Sequence, residues 1–305
     1  MNVVRLSDVV KRYGKRTALD GLSLVVPRGA ACAVVGPNGS GKTTMFAVIA
    51  GLLAIQSGDV EVFGAGRFDP RRHSGRLGLM PQDAAPSAHA SLEQSLRHYA
   101  ELGGLSRAAA KQEAEHWLER VRLVDRRRAR PSELSHGMRR RFSVAQAFLG
   151  KPELVLLDEP TAGLDPELAA EMRALFVELR GQSTLLISSH ILSELEDVCD
   201  YGVFIEQGRL VRQGPMKTLL QADSLVRLTL SRQPELDGLR QRVGVLAVEW
   251  KAPVLELRYT GELPIEAANA KLLRELLDQG VGVLGLTSGQ SLEATYLASR
   301  RGERG

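Results

Sequence analysis

Short apolar runs alternate with helical patterns through the first two thirds of the chain. The aliphatic runs at 31–35, 154–157 and 184–187 predict buried strands, because a parallel strand covered on both faces is apolar at successive positions. Apolar residues at helical spacing between these runs predict helices at 44–53 and 91–121. Strands that alternate with helices in this way predict an α/β architecture around a parallel sheet.

The other strand patterns in this part of the chain are shorter or more polar. Residues 2–6 and 21–26 have the pattern of short strands, and the polar segment 11–17 between them predicts a turn. Residues 203–205 predict one more buried strand, and a further helix is expected after Gly137. These elements extend the α/β pattern to about residue 220.

The pattern changes after about residue 222, where strand and helix signals follow one another more closely. The predicted elements are, in chain order, 225–230, 236–243, 245–250, 254–259, 265–279 and 281–286. Their order, βαββαβ, is that of the ferredoxin-like arrangement. We therefore expect two domains, a large one at 1–222 and a small α+β one at 223–305.

Length and composition fit this division. The 305 residues are enough for one large and one small domain. Hydrophobic residues make up 44% and charged residues 25%, which excludes a disordered or fibrous chain. The longest apolar run, 45–55, is shorter than the roughly 20 residues that span a bilayer, and the N-terminus lacks an apolar signal region. We expect a protein that is neither membrane-spanning nor secreted, and that keeps its two cysteines reduced.

Basic residues cluster at 126–130 and 139–141, and the formal net charge is +4. Such clusters can bind phosphate backbones, so nucleic acid is one candidate partner. No aromatic side chain interleaves with these arginines, as it does in surfaces that stack on bases. The favoured interpretation is therefore a solvated helix face or a subunit contact.

The segment after the buried run 31–35 fits the phosphate-binding pattern G-x-x-x-x-G-K-[ST]. This segment and the residue after it are Gly36, Pro37, Asn38, Gly39, Ser40, Gly41, Lys42, Thr43 and Thr44. Glycines allow backbone N–H groups to converge on an anion at the positive end of the following helix. Lys42 would contact the β- and γ-phosphates and the Thr43 hydroxyl would bind Mg²⁺, so a nucleoside triphosphate is the expected ligand.

Two acidic residues follow the buried run 154–157, at the sheet edge where ligands of parallel α/β proteins bind. Asp158 would hold Mg²⁺, directly or through water. Glu159 would accept a proton from the water that attacks the γ-phosphate, a role worth about 10²–10⁴ in rate. Without a phosphate-binding loop this pair could simply cap a helix. With the loop, the pair predicts hydrolysis of the nucleotide.

A phosphate-binding loop alone is shared by kinases, GTPases, RecA-like motors and ATP-binding cassette (ABC) proteins. Leu134-Ser135-His136-Gly137-Met138 resembles the ABC signature LSGGQ, with His136 and Met138 in place of glycine and glutamine. Residues 154–160 and 162–166 resemble the Walker B segment and the D-loop, which contains Asp165. The type, order and spacing of these motifs are similar to those of the ABC ATPases.

That resemblance covers about residues 1–220 and implies further roles. Tyr13 would stack on adenine, Gln82 would bring its amide to Mg²⁺ and the attacking water, and His190 would reach the γ-phosphate. The implied fold is a P-loop NTPase domain with a RecA-like core, an antiparallel β subdomain and a helical subdomain. The small ferredoxin-like domain would follow it.

In ABC proteins, each ATP lies between the P-loop of one subunit and the signature of another. The resemblance therefore implies that Ser135, His136, Gly137 and Met138 act on a partner's nucleotide, in a homodimer or with a homologous ATPase. Ser135 offers a hydroxyl and Gly137 an unobstructed N–H at a helix N-terminus. Because these two residues are retained, we expect activity despite His136.

Two further segments extend the resemblance to function. Residues 188–194 and 291–297 are similar to those of ATPase subunits of bacterial exporters whose membrane subunits are separate chains. This implies a Mg²⁺-dependent ATPase that works on a membrane permease and lies on the cytoplasmic face of the cell membrane through that partner.

Two other functions stay open at this point. The alternative class is a soluble ABC ATPase that acts on the ribosome or on DNA, although the second cassette, coiled-coil insertion and zinc motifs of such proteins are missing from the sequence. A nucleotide-binding regulator without turnover is disfavoured, because Glu159 and His190 are both present.

Overall fold

A computed structural model of the chain describes residues 2–82, 90–189, 193–221, 224–240, 245–259 and 265–288. Contacts along the chain divide it into two compact units, 1–214 and 215–305. The division therefore falls before the boundary at 222 that the sequence predicts.

An antiparallel sheet of three strands opens the first unit, in the order β2-β1-β4. Its strands are β1 (Asn2–Tyr13), β2 (Arg16–Pro27) and β4 (Ser57–Val62). The expectation of short strands around a turn at 11–17 is wrong, because β1 and β2 each run for 12 residues and only Gly14 and Lys15 lie between them. The polar end of β1 is held by partners distant in sequence: Arg12 N donates to Gln56 Oε1 and Gln56 Nε2 donates to Arg12 O. Apolar periodicity cannot reveal such pairing.

A sheet of six strands follows in the order β5-β6-β7-β3-β8-β9. Its strands are β3 (Ala31–Val35), β5 (Leu77–Met80), β6 (Leu154–Asp158), β7 (Thr184–Ser188), β8 (Tyr201–Glu206) and β9 (Arg209–Pro215). The strands from β5 to β8 in that order are parallel, and β3, β6 and β7 are buried along their whole length. The predicted α/β architecture is confirmed, and it gathers the carboxyl ends of β3, β6 and β7 at one edge.

The helices of the first unit are α1 (Lys42–Ile49), α2 (Leu92–Leu102), α3 (Arg107–Arg120), α4 (His136–Ala147), α5 (Pro166–Leu179) and α6 (Ser193–Val198). The helix expected at 44–53 begins at Lys42 and ends at Ile49. The helical segment expected at 91–121 contains two helices, because the chain breaks at Gly104, whose φ of +102° is left-handed. Ser91 and Ser106 cap these helices by accepting backbone N–H bonds.

One apolar core joins both sheets of the first unit. Helix α1 contributes Met45, Phe46 and Ile49, which are at most 1% exposed. The helix packs against β2 and β4 of the antiparallel sheet and against β6 of the parallel sheet. The helix that follows the phosphate-binding loop is therefore fixed by hydrophobic burial on both sides.

Arg140 and Arg141, two of the three arginines at 139–141, do not lie on the surface that the sequence favoured for this cluster. Arg140 and Arg141 are buried, at 8% and 9% exposure. Arg140 Nη1 donates to Gln82 O at 2.7 Å, and Arg141 Nη1 donates to Val121 O and Arg122 O at 2.9 and 3.1 Å. The guanidinium groups tie α4 to distant carbonyls of the same chain, which the sequence could not show. The arginines at 126–130 are exposed.

The second unit begins with α7 (Met216–Gln221) and contains a four-stranded antiparallel sheet in the order β11-β12-β10-β13. Its elements are β10 (Ser224–Leu230), α8 (Leu236–Arg240), β11 (Val245–Lys251), β12 (Val254–Tyr259), α9 (Ile265–Asp278) and β13 (Val283–Ser288). Leu228, Leu257 and Leu272 belong to a core of its own. Residues 241–243 of the predicted first helix, and the segment 291–297, lie outside the described residues.

Candidate nucleotide site

The phosphate-binding loop leaves β3 and enters α1, and its glycines are needed for space and for backbone conformation. A β-carbon at Gly36 would lie 2.2 Å from Ile205 O, and one at Gly41 would lie 2.6 Å from Ala18 O. Gly41 also has a φ of +109°. A larger residue at either position would push the loop away from the strands behind it.

Lys42 is hydrogen-bonded to the backbone of this loop. Its Nζ donates to Gly36 O at 2.7 Å and to Pro37 O at 3.2 Å. Burial lowers the pKa of Lys42, while Glu159 and Asp158 act in the opposite direction and raise it. The ammonium group therefore lies beside the loop and near both carboxylates, where it can contact a phosphate bound to the loop.

Thr43 and Asp158 are brought together from α1 and β6. Thr43 Oγ1 donates to Asp158 Oδ2 at 2.6 Å, and Ser188 Oγ donates to Asp158 Oδ1 at 2.5 Å. Two adjacent ligands of an octahedral Mg²⁺ lie about 2.9 Å apart, given metal–oxygen distances of about 2.0–2.1 Å. The hydroxyl and carboxylate oxygens thus have the chemistry and the spacing of neighbouring Mg²⁺ ligands.

The rest of the donor set also fits Mg²⁺. Within the described ranges, no three His, Cys, Asp or Glu side chains converge as a metal cage. Mg²⁺ characteristically takes one or two protein ligands and completes its shell with water and substrate phosphates. Thr43 and Asp158 would supply those protein ligands, and the bound ion would neutralise charge on the phosphates.

Glu159 begins the turn that follows β6. Its backbone has a φ of +55°, and its N–H donates to Ser188 Oγ at 3.0 Å and to Ser188 O at 3.2 Å. The residue is 8% exposed and lines the same cleft as Lys42 and Thr43. A left-handed conformation of a non-glycine residue is held only where the surroundings fix it. The turn thereby aims a carboxylate into the cleft, as a general base requires.

These groups open onto one cleft of about 490 Å³. Its lining residues are Tyr13, Arg16, Ala18, Asn38, Gly39, Gly41, Lys42, Thr43, Thr44, Gln82, Asp158 and Glu159. The volume lies in the ordinary range for ligand sites. The β1–β2 hairpin therefore brings Tyr13 to the predicted phosphate site.

The ring of Tyr13 and the backbone of Gln82, two residues that line this cleft, contact neighbours outside it. Lys11 Nζ donates to Ala54 O at 2.7 Å and lies 5.1 Å from the centroid of the Tyr13 ring, a cation–π contact. Arg140 fixes the backbone of Gln82 through its carbonyl. The ring and the start of the segment after β5 thus have positions set by the fold.

The predicted signature residues do not line this cleft. Ser135 caps α4 by accepting a bond from Met138 N at 3.2 Å, and His136 and Gly137 form the first turn of that helix. Asp165 caps α5 by accepting from Leu168 N at 3.0 Å. His190, predicted beside the γ-phosphate, lies outside the described residues.

Two residues escaped the sequence-based interpretation: Ser188, which is buried behind the acidic pair, and Arg16, which lines the cleft. Ser188 bonds both Asp158 and the backbone of Glu159, and its only sequence signal is its place directly after the buried run 184–187. Arg16 lines the cleft and pairs with Tyr13 across the two-residue turn between β1 and β2, and that turn would have been its signal in the sequence. Both depend on strand pairing rather than on a motif.

Comparisons with known proteins agree with this geometry. The family model described as ABC transporter matches residues 19–162. YxlF of Bacillus subtilis, an ABC transporter ATP-binding protein, is 31% identical over 297 residues, which cover 97% of this chain and 98% of the relative. The daunorubicin resistance ATP-binding protein DrrA3 of Streptomyces coeruleorubidus is 38% identical over 219 residues, 69% of this chain and 67% of the relative.

A solved structure is similar as well. The ATP-binding subunit of an ABC transporter has a TM-score of 0.64 and 28% sequence identity, and the match covers 71% of this chain and 91% of that one. In the described parts of the chain, no helix is both long and apolar enough to cross a membrane. The family model, the relatives and the solved structure together show that the chain belongs to the ABC transporter ATP-binding proteins. It is an ATPase that binds ATP and Mg²⁺.

Proposed function

We propose that the chain powers export through a membrane permease that is a separate protein. Its relatives include DrrA3, named for daunorubicin resistance, and a Nod factor export ATP-binding protein of Paraburkholderia xenovorans, 33% identical over 72% of this chain and 73% of that protein. The second of these names states export, which is outward transport. The described residues do not indicate which compound is transported.

Hydrolysis would follow from the arrangement in the cleft. Lys42 and the loop N–H groups hold the β- and γ-phosphates, and Thr43 and Asp158 hold Mg²⁺. Glu159 takes a proton from the attacking water as the bond between the γ-phosphorus and the β–γ bridging oxygen breaks, and ADP leaves with that oxygen. Tyr13 and Gln82 also line the cleft, where Tyr13 would orient the adenine ring and Gln82 the attacking water.

The observation that carries the proposal is that one chain holds two half-sites in different places. The P-loop and the acidic pair line the cleft, whereas Ser135 and Gly137 lie at the N-terminus of α4 and do not. The positive end of α4 suits a phosphate supplied by another subunit. We infer that two copies, or this chain and a homologous ATPase, close on two ATP molecules.

Closure and reopening of that dimer would move the permease. The chain would then lie at the cytoplasmic face of the cell membrane, held by its partner rather than by its own helices. The domain that follows the ATPase, predicted from residue 223, would strengthen pairing or couple the motor to that partner. A passive cap on the large domain is the other role open to it.

Cell fractionation tests this proposal. The tagged chain is expressed at native level in its own cells and, separately, in a host that lacks its permease. We expect salt-resistant recovery with membranes only in the native cells. Recovery with ribosomes or DNA in both, or an equal membrane fraction in both, would contradict a permease partner and favour the soluble class of ABC ATPase.

A further inference from the structure

Arg16 lies in the nucleotide cleft without a role in the chemistry described above. It is the first residue of β2 and pairs with Tyr13, the last residue of β1, across the turn of Gly14 and Lys15. Residues paired across two antiparallel strands have side chains on the same face. Both side chains line the cleft, whereas Lys15 does not.

The guanidinium group of Arg16 reaches the phosphate-binding loop. A β-carbon added to Gly39 would lie 3.1 Å from Arg16 Nη2. Gly39 has a φ of +81°, and the absence of a side chain there leaves the guanidinium against the loop backbone. Arg16 therefore spans the distance from the Tyr13 end of the cleft to the loop.

The charge of Arg16 is available to a ligand. The residue is exposed, and in the described parts of the chain no carboxylate forms an ion pair with it. Lys42, by contrast, is buried and bonded to two loop carbonyls. Arginine carries a fixed positive charge and a planar fork of donors that matches phosphate oxygens.

The place of the Arg16 guanidinium in the cleft indicates which part of the nucleotide it contacts. With adenine at Tyr13 and the β- and γ-phosphates at Lys42, the ribose and the α-phosphate lie between them. Of these two, only the α-phosphate is an anion. We propose that Arg16 binds a non-bridging oxygen of the α-phosphate and so adds affinity for ADP and ATP alike.

This contact recognises any adenine nucleotide and is indifferent to hydrolysis. Because Arg16 is exposed, solvent and salt screen the contact, and its loss weakens binding by about three- to tenfold. The contribution shrinks as ionic strength rises. A γ-phosphate contact would instead distinguish ATP from ADP, and a contact with adenine or ribose would extend to adenosine.

Equilibrium binding to the full chain tests the assignment. Displacement of a fluorescent adenine nucleotide gives dissociation constants for Mg-ADP, for a non-hydrolysable Mg-ATP analogue and for adenosine. The variants are Arg16→Ala, Arg16→Lys and, as the matched control, Lys15→Ala, which removes a neighbouring exposed cation that does not line the cleft.

We expect Arg16→Ala to weaken both nucleotides by the same factor, about three- to tenfold, with adenosine unchanged. Arg16→Lys should recover part of the loss, and Lys15→Ala should stay within about twofold of the parent. An unchanged Arg16→Ala, a loss confined to the triphosphate, or an equal loss for adenosine would overturn the α-phosphate contact.

The inference rests on the nucleotide site and adds one residue to it. A parent chain that binds neither nucleotide would contradict the site as a whole. A parent that binds both, beside an Arg16→Ala variant that binds them equally well, would contradict only the role of Arg16. The two failures are thus distinguishable in one set of titrations.

Discussion

The ring of His136 lies against the backbone of Gly163. A β-carbon added to Gly163 would come within 2.8 Å of both Nδ1 and Cε1 of that imidazole, and Gly163 has a φ of +76°. Leu164 N donates to Thr161 O, so Gly163 occupies the third position of a tight turn, where a positive φ is required. The histidine that replaces the first signature glycine is thus accommodated by a contact within its own chain.

We predict that His136→Gly keeps ATPase activity in the assembled complex, because the Ser135 hydroxyl and the Gly137 N–H, the groups proposed to face a partner's phosphate, are left in place. A dead His136→Gly variant would instead make the imidazole a participant in hydrolysis. Gly163→Ala should displace the imidazole ring and so lower the free energy of unfolding. Adding His136→Gly to that variant should restore about 0.5–1.5 kcal/mol of the loss, because the displaced ring is gone.

Gly150→Ala is the control for that cycle. Gly150 has the same φ of +76° but nothing within 4 Å of its added β-carbon, so it reports the backbone strain alone. Chemical denaturation of the parent, the single variants and the double variant measures the coupling. Additive losses would show that the ring and the turn are independent.

Ser188→Ala should raise the Mg²⁺ concentration at which ATP hydrolysis is half-maximal. Ser188 Oγ orients Asp158, the expected Mg²⁺ ligand, and accepts the N–H of Glu159. We also expect the free energy of unfolding to fall by about 1–3 kcal/mol, since a buried carboxylate loses a donor. A Mg²⁺ titration of ATPase rate measures the first effect.

The matched control lies just before the start of the same strand. Ser183 is also buried and donates to Pro152 O at 2.6 Å, but it lies away from the acidic pair. Ser183→Ala should therefore lower stability without moving the Mg²⁺ titration. Equal shifts in both variants would mean that Ser188 serves stability alone.

Arg141→Met should destabilise the chain by about 2–3 kcal/mol, because two backbone carbonyls lose a charged donor and the buried site gains no replacement. Arg127→Met, at an exposed arginine of the neighbouring cluster, should stay within about 0.5 kcal/mol of the parent. Urea unfolding of both variants makes the comparison. Similar losses for the two would mean that the buried hydrogen bonds of Arg141 add no stability beyond that of an exposed arginine.

Glu159→Gln should keep ATP binding near that of the parent and lower turnover by about 10²–10⁴, because the amide cannot accept the proton of the attacking water. Glu167→Gln, an exposed carboxylate in the first turn of α5, is the control and should hydrolyse ATP normally. Rates and binding constants of the purified chains give the result. Parental turnover in Glu159→Gln would remove the base from the proposed mechanism.

Truncation after Ala222 should leave nucleotide binding near normal while it weakens dimerisation or transport coupling. Among the described residues, those that line the nucleotide cleft all belong to the first unit, and the second unit has a core of its own. Titration of Mg-ADP and a mass measurement separate the two effects. A truncated chain that stays folded by circular dichroism but binds no nucleotide would contradict the independence of the motor.

The sequence predicts those site residues that lie together on one short segment of the chain. The glycines of the P-loop, Lys42, Thr43 and the acidic pair follow from one strand-to-helix connection and one strand end, and the fold brings them to one cleft. The length of the β1–β2 hairpin, the burial of Arg141 and the role of Ser188 depend on partners far along the chain, and the role of Arg16 depends on strand pairing. Apolar periodicity does not encode such partners, so a structure is needed to find them.

The central claim is that each ATP site is completed by the signature of a second subunit. Light scattering of Glu159→Gln with Mg-ATP tests it most directly, compared with the same variant that also carries Gly137→Asp. An Asp is favoured in the first turn of α4, its β-carbon would lie 3.3 Å from the flexible end of the Leu164 side chain, and its charge repels a partner's phosphate. We predict an ATP-dependent dimer for the first chain, and for the second a monomer that still binds ATP. An equally stable dimer of the second chain, or loss of its ATP binding while folded, would contradict the claim.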